Sequence, residues 1–236
     1  MRFDVIFEAM PTLLVGALVT IQLTALATFF GLIGGSLMGI ARLSTIPAVR
    51  VATRVYVDFF RGTPLLVQIF MIYFGIPALI QGLGLQLTFS RPLAAVLALS
   101  LNATAYIAEI VRAGIQSIET GQSEASESLG LSPGQTMQYI IFPQAFRRMI
   151  PPLGNEFITL LKDTSLVAII GYEELFRRGQ LIVATNYRSF EIYFGVALVY
   201  LVMNIIFSQG FSWLENRMDP AKRKPKTSTT VAATAE

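Results

Sequence analysis

Hydrogen-bonding and ionisable side chains interrupt an otherwise apolar stretch at residues 92–111. Asn102, Tyr106 and Glu109 lie within it, and at about 3.6 residues per turn they share one face of a helix. Polar groups are costly inside a membrane, so each of them is a candidate functional residue. These residues are candidates for binding a substrate, because this helix face could line a transport path and accept hydrogen bonds from the ammonium group of an amino acid. The alternatives are hydrogen bonding between helices and a simple ion pair of Glu109 with Arg112.

A second polar cluster interrupts the apolar stretch 150–170. Glu156 lies near its start, and four polar residues crowd its middle, namely Lys162, Asp163, Thr164 and Ser165. A continuous helix facing lipid would not tolerate them, so either the helix is broken there or that face borders water. A broken helix places backbone ends near the membrane midplane, where carboxylate and ammonium groups can be held. Glu156 is the leading candidate for a binding residue, and the alternative is internal neutralisation of Asp163 by Lys162.

The sequence lacks residues that common catalytic and metal sites require. The chain has no cysteine and no histidine, which excludes disulfides, thiol nucleophiles, zinc sites of the Cys/His type and imidazole relays. No lysine follows a glycine, so the chain has no phosphate-binding loop of the G-x-x-x-x-G-K-[ST] type. The net charge of +3 is too small to indicate nucleic acid as a partner.

The overall composition predicts a membrane protein that carries these groups on helices. Apolar residues make up 53% of the 236 residues, charged residues make up 14%, and mean hydropathy is +0.59. A hydrocarbon core about 30 Å thick needs roughly 20 helical residues per crossing. We therefore expect an all-α integral membrane protein with five transmembrane helices, at about residues 13–41, 57–80, 92–111, 150–170 and 192–213.

The distribution of positive charge predicts how these helices are oriented. Five crossings place the two termini on opposite sides, and most arginines and lysines fall in the loops on one side. By the positive-inside rule, the N-terminus is outside and the C-terminus is in the cytoplasm. Residues 1–218 then form a single transmembrane domain. Residues 219–236 form a disordered, basic cytoplasmic tail that contacts anionic membrane lipid weakly.

Small residues recur along the first predicted span. Gly31, Gly35 and Gly39 lie four residues apart, a spacing that lets two helix backbones approach closely in lipid. The close contact lies either within one subunit or between two subunits.

A polar segment, residues 120–148, separates the third and fourth predicted spans. Gly130 ends a first short helix, which carries Glu124 in its first turn. Ser132 begins a second helix, which ends at Pro143. The result is a compact pair of helices on the cytoplasmic side. Docking against a partner protein is one interpretation of this pair, and an amphipathic connector on the membrane surface is the other.

The residues of this polar segment follow a known spacing. Residues 124–126, Gly130 and residues 140–143 match the pattern E-A-A-x3-G-x9-I-x-L-P, with Ser126 and Phe142 as the two departures. The segment resembles the cytoplasmic loop by which permeases of ATP-binding-cassette (ABC) importers engage their ATPase subunits. The resemblance implies that the ATPase-coupling residues are Glu124, Ala125, Gly130, Leu131 and Pro143.

Other segments resemble the polar amino-acid branch of these permeases. The resemblance covers residues 10–218, and the segments that carry it are 61–64, 105–109, 143–148, 151–156 and 162–166. Segments 178–180 and 186–188 are similar to glutamine permease subunits in particular.

The resemblance implies the parts of a complete importer. This chain would be its non-catalytic transmembrane subunit, located in the bacterial cytoplasmic (inner) membrane and paired with a second copy or with a sister permease. ABC ATPase subunits would bind ATP and Mg, so this chain needs no cofactor of its own. An extracytoplasmic substrate-binding protein would deliver a polar amino acid.

The substrate and one alternative function stay open at this point. Glu156 suits a cationic substrate such as arginine or histidine, whereas the glutamine-type segments favour a neutral one. An ion-coupled secondary amino-acid transporter is the alternative; it would use Glu109, Glu156 and Asp163 as ion ligands, but it does not explain the polar segment. The charged segment 173–178 either docks the binding protein or is a solvated linker. The candidate substrate-binding residues are Asn102, Tyr106, Glu109, Glu156, Asp163, Thr164 and Ser165.

Overall fold

The structure is a computed structural model that describes residues 4–218, and the predicted tail 219–236 lies outside these residues. All regular structure in the described part is helical, as expected for the all-α class. The helices are α1 (Asp4–Ala41), α2 (Pro47–Gly62), α3 (Leu65–Phe70), α4 (Ile76–Gly82), α5 (Arg91–Gln116), α6 (Thr120–Ser128), α7 (Pro133–Gln135), α8 (Phe142–Asp163), α9 (Leu175–Asn186) and α10 (Ser189–Met218). Two π-helical turns, Met71–Gly75 and Thr136–Ile141, and a 3-10 helix, Thr164–Ile170, continue some of them.

Four helical segments between residues 4 and 218 are long and apolar enough to cross a membrane. They are Asp4–Ala41, Leu65–Gly82, Arg91–Gln116 and Ser189–Met218. The first begins well before the predicted residue 13. The prediction of a helical membrane protein agrees with this result, while the count of five spans and the orientation stay predictions.

The predicted second span, 57–80, is wrong in its first part. Helix α2 ends at Gly62, the chain is extended at Thr63 and Pro64, and α3 begins at Leu65. Proline has no N–H and disfavours the helical conformation in the residue before it, which explains the break. The apolar segment that could cross a membrane therefore begins only after the break, and α2 is a separate helix.

The predicted fourth span, 150–170, does not meet the same criterion of length and hydropathy. Charged side chains such as Glu156 lower its hydropathy, and α8 ends within it at Asp163. The chain continues as a 3-10 helix from Thr164 to Ile170. This change of helix type confirms that a continuous α-helix is broken where the polar residues crowd.

Helix α1 lies between the two clusters of buried apolar side chains. One cluster joins it to α5 and α8, and the other joins it to α9 and α10. Against α5, a Cβ atom at Gly35 would lie 2.6 Å from Ile107, and one at Gly39 would lie 2.7 Å from Val111. The regularly spaced glycines therefore serve close packing within one subunit.

A buried carboxylate joins α1, α9 and α10. Glu174 is 0% exposed and accepts hydrogen bonds from the N–H groups of Phe176 (2.8 Å) and Arg177 (2.7 Å). It also accepts from the hydroxyl groups of Tyr200 (2.9 Å) and Thr20 (3.5 Å). We call these five residues the Glu174 cluster. Because the carboxylate caps the N-terminus of α9 and reaches both long helices, it fixes their relative position.

The segment 173–178 is consequently not a uniformly solvated linker. Glu173 is exposed and forms an ion pair with Arg178 at 3.7 Å, but Glu174 and Leu175 are fully buried. Only part of this segment is accessible to a partner.

Candidate functional site

A polar cavity of about 400 Å³ lies where the break between α2 and α3 meets α5 and α8. Its lining residues are Arg61, Gly62, Thr63, Pro64, Leu65, Asn102, Tyr106, Glu156, Thr159 and Asp163. We call it the polar cavity. It brings together four candidates that the sequence placed in two separate apolar stretches, namely Asn102, Tyr106, Glu156 and Asp163.

Gln68, which the sequence analysis missed, holds the break between α2 and α3 in shape. Pro64 has no N–H to donate to the carbonyl of Phe60, and the buried amide of Gln68 donates to that carbonyl at 2.8 Å. The same amide group donates to the Thr63 carbonyl at 3.0 Å. Asn102 in turn donates to the side-chain oxygen of Gln68 at 2.9 Å. The interhelical hydrogen bonding considered for Asn102 is thus confirmed.

Two carboxylates face the polar cavity from α8. Glu156, Thr159 and Asp163 are spaced three and four residues apart, so they share one helix face. Thr159 was missed, although this spacing alone could have found it. Among residues 4–218, neither carboxylate receives a hydrogen bond or a close ion pair from another side chain. Lys162 attracts Asp163 electrostatically, as considered, but from a distance longer than that of an ion pair.

Arg61 supplies the single positive charge among the residues that line the polar cavity. Its guanidinium carbon lies 5.4 Å from the centre of the Tyr106 ring, a cation–π arrangement. The sequence analysis placed Arg61 in a segment of family resemblance but did not single it out. The cavity therefore combines one guanidinium with two carboxylates, a set of groups complementary to a small molecule that carries charges of both signs.

Glu109 lies outside the lining of the polar cavity, although it was predicted to share the binding face. Its carboxylate is bound by Arg42 and by Arg112, and Arg61 lies 3.9 Å away. We call these four residues the Glu109 cluster. The considered pair with Arg112 is confirmed. Glu109 is drawn away because the end of α1 brings Arg42 next to this turn of α5.

Thr164 and Ser165 also lie outside the lining of the polar cavity. Thr164 is fully buried, and its hydroxyl donates to the carbonyl of Leu161 at 2.7 Å. Both residues follow Asp163 directly at the start of the 3-10 helix, and consecutive residues of a helix point in different directions, so they lie off the face that Glu156 and Asp163 share.

The segment between α5 and α8 folds largely as its sequence indicates. Gly130 adopts the left-handed conformation, with φ of +80°, and separates α6 from α7. Ser132 begins α7 with a reciprocal capping box: its hydroxyl accepts from the Gln135 N–H at 3.4 Å, and its own N–H donates to the Gln135 side chain at 2.9 Å. The predicted helix start and the predicted turn are both confirmed.

Two details of this segment differ from the prediction. Helix α6 begins at Thr120, so Glu124 lies in its second turn. Pro143 does not end a helix, because the π-helical turn Thr136–Ile141 leads directly into α8 and Pro143 lies in the first turn of α8. The wider winding of the π turn before Pro143 makes room for its ring, so the helix continues through this proline.

The same segment is braced against the helix bundle and exposes an apolar side chain. Gln144 donates to Gln122 at 3.2 Å, and Arg148 donates to the carbonyl of Ser117. Leu129, between α6 and α7, is 81% exposed. Of the predicted coupling residues, the exposed ones are Glu124, Ala125, Gly130 and Pro143, and the half-buried one is Leu131.

Comparison with known proteins identifies the kind of chain that has this arrangement. The family described as binding-protein-dependent transport system inner membrane component matches residues 31–220. The chain belongs to this family. Its members are the non-catalytic permease subunits of ABC importers, in which the ATPase is a separate subunit.

Relatives of this permease are transporters of amino acids. It is 42% identical over 220 residues to the glutamine transport system permease protein GlnP of Escherichia coli (strain K12), covering 92% of this chain and 99% of GlnP. It is 38% identical over 216 residues to the L-cystine transport system permease protein TcyL of Bacillus subtilis (strain 168), covering 91% of this chain and 90% of TcyL.

A solved structure agrees with these relatives. The crystal structure of an amino acid ABC transporter with histidines is similar to this permease, with a TM-score of 0.86 and 38% identity over 92% of this chain and 99% of that chain. The resemblance to amino-acid ABC permeases is confirmed, and an ion-coupled secondary transporter is not favoured.

Proposed function

We propose that this permease translocates a polar amino acid and that the amino acid binds in the polar cavity. The observation that carries the proposal is the pairing of one guanidinium with two carboxylates that meet no hydrogen-bond donor among residues 4–218. Arg61 binds the α-carboxylate of the substrate, since a planar guanidinium matches a carboxylate with two parallel hydrogen bonds. Glu156 and Asp163 bind its α-ammonium group.

The charges of the polar cavity narrow the class of side chain. Arg61, Glu156 and Asp163 supply one carboxylate more than a zwitterion needs. The additional carboxylate favours a substrate whose side chain is cationic or donates hydrogen bonds. Arginine, histidine and glutamine all meet this condition, and relatives of this permease are named for glutamine and bound to histidines.

The second part of the proposal concerns assembly. The segment 120–148 docks on an ABC ATPase subunit that binds ATP and Mg, and the exposure of Leu129 and the bracing of α6 suit that contact. This end of the helices faces the cytoplasm, the N-terminus lies outside, and five spans cross the bacterial inner membrane. Two permease subunits, identical or sister chains, form the pathway, and an extracytoplasmic binding protein delivers the substrate.

Uptake into proteoliposomes tests the proposal. The vesicles contain this chain, its ATPase and its binding protein, and they receive labelled arginine, histidine, glutamine and leucine with ATP or without it. We expect uptake of one or more of the three polar amino acids that requires both ATP and the binding protein, and little uptake of leucine. Uptake that proceeds without ATP and follows an ion gradient would overturn the proposal.

The docking segment has a separate test at Gly130. Its φ of +80° is unfavourable for most residues with a Cβ atom, and a Cβ atom added at this position would meet no other atom within 4 Å. Gly130→Asp is expected to insert and fold but to lose the ATPase during co-purification. Gly121→Asp is the matched control, because Gly121 in α6 has equally open surroundings and ordinary helical geometry. Full retention of the ATPase by Gly130→Asp contradicts the docking role.

A further inference from the structure

Arg61 belongs to two sites at once. It lines the polar cavity, and its Nη1 atom lies 3.9 Å from the Oε2 atom of Glu109. Tyr106 also lines the cavity, and the guanidinium carbon of Arg61 lies 5.4 Å from the centre of its ring. The side chain of Arg61 is 41% exposed, so it has room to move. A small rotation about its stem changes which carboxylate it faces.

The Glu109 carboxylate does not depend on Arg61 for its hydrogen bonds. Arg112 donates to both of its oxygens, through Nε to Oε2 at 3.2 Å and through Nη2 to Oε1, and Arg42 donates to Oε2. At 3.9 Å, Arg61 is beyond hydrogen-bond distance. It is therefore the weakest of three partners.

The charge of the Glu109 cluster also favours movement of Arg61 away from Glu109. Three guanidinium groups surround one carboxylate, and like charges at this range repel each other. Arg42 and Arg112 are fixed by their hydrogen bonds, so Arg61 is the group that can leave. A carboxylate group of a ligand in the polar cavity can bind Arg61 in place of Glu109.

We infer that Glu109 is a positioning residue that competes with the α-carboxylate of the substrate for Arg61. This inference rests on the proposed function, in which Arg61 binds that carboxylate. With the cavity free of substrate, Glu109 holds Arg61 over Tyr106; when substrate binds, Arg61 turns to the cavity and Glu109 keeps only Arg42 and Arg112. Substrate binding therefore changes the ion pairs at the contact between the end of α1 and α5.

Competition predicts opposite effects for two neighbouring substitutions. Glu109→Gln removes the competing charge, so the substrate is expected to bind about fivefold more tightly. Arg42→Gln frees an oxygen of Glu109 for Arg61, so the substrate is expected to bind about fivefold more weakly. A purely structural role for the cluster would move both affinities in the same direction, because both variants remove a partner from the same packed group.

The experiment measures equilibrium binding of labelled arginine, histidine and glutamine to the purified permease with its ATPase. Arg50→Gln, an exposed arginine of α2, controls for the loss of a positive charge. The α-amides of the same amino acids, which lack the carboxylate, are expected to bind with an affinity that Glu109→Gln does not change.

The variant Arg61→Ala distinguishes a failure of the proposed function from a failure of the competition between Glu109 and the substrate. If Arg61→Ala does not weaken binding of any of the three amino acids, the carboxylate assignment in the proposed function is wrong. If Arg61→Ala weakens binding but Glu109→Gln does not tighten it, or tightens it equally in an Arg61→Ala background, the proposed function stands and the competition is refuted. Tighter binding in Glu109→Gln that disappears in Arg61→Ala supports the inference.

Discussion

The carboxylate of the Glu174 cluster and the two carboxylates of the polar cavity differ in the hydrogen bonds that they receive. In the Glu174 cluster, a fully buried carboxylate accepts two N–H groups and two hydroxyl groups from three helices. In the polar cavity, Glu156 and Asp163 meet no donor from the described part of the chain. A carboxylate whose hydrogen bonds are complete stabilises the fold, whereas one that lacks them within its own protein is available to a ligand.

The largest expected effect tests the structural side of this comparison. Glu174→Leu leaves two N–H groups and two hydroxyl groups without their charged acceptor, so we expect the free energy of unfolding to fall by about 3 kcal/mol. Thermal unfolding of the purified protein in detergent measures it. Glu173→Leu, at the exposed neighbouring position, is the control and should change the midpoint little. An unchanged midpoint for Glu174→Leu would mean that the cluster does not hold the helices together.

The next largest expected effect tests whether the carboxylates of the polar cavity bind the substrate. Glu156→Gln should weaken substrate binding by about thirtyfold, because it removes a charged acceptor for the substrate ammonium group. The unfolding midpoint should stay the same, since no side chain among residues 4–218 forms a hydrogen bond or an ion pair with that carboxylate. Loss of affinity should be greater for arginine than for glutamine. The assignment fails if Glu156→Gln changes neither affinity nor preference.

A smaller effect sharpens the first result. Tyr200→Phe removes one hydroxyl from the Glu174 cluster and nothing from the polar cavity. We expect the free energy of unfolding to fall by about 1.5 kcal/mol, the lower end of the contribution of a hydrogen bond to a charged group. Substrate affinity, measured by equilibrium binding on the same preparation, should match that of the unaltered chain. A change in affinity without a change in stability would contradict the separation of the two groups.

The smallest effect sharpens the second result. Thr159→Val keeps the shape of a side chain between the two cavity carboxylates and removes its hydroxyl. Substrate affinity is expected to fall about threefold, as for one neutral hydrogen bond, with no loss of stability. Thr185→Val in α9 serves as a matched control, because its exposed hydroxyl bonds to the carbonyl of Ile182 in its own helix. An equal change in both variants would count against a contact with substrate.

Local rules predicted the parts of this structure that depend on neighbouring residues. The left-handed turn at Gly130 and the cap at Ser132 follow from residue types within a few positions. The break near Thr164 follows from the cost of polar groups in an apolar helix. The same rule singled out Glu156 and Asp163 before any contact was known.

The remaining parts depend on contacts between distant segments, which a single sequence does not contain. Glu109 pairs with Arg42 across 67 positions of the chain. Glu174 bonds to Thr20 across 154 positions, so a residue read as part of a charged surface segment is fully buried. Arg61 lines the cavity because the chain breaks at Pro64 and the end of α2 packs next to α5, far along the sequence.

The hydrogen bonds of Gln68 have a consequence for how substrate range changes in evolution. They compensate for the donor that Pro64 lacks, so the backbone at the break keeps its shape without any help from the cavity carboxylates. The side chains on one face of α8 can therefore be exchanged while the scaffold opposite them stays intact. If the amino acid binds in the polar cavity as proposed, we expect substitutions at positions 156, 159 and 163 to change the substrate without loss of folding.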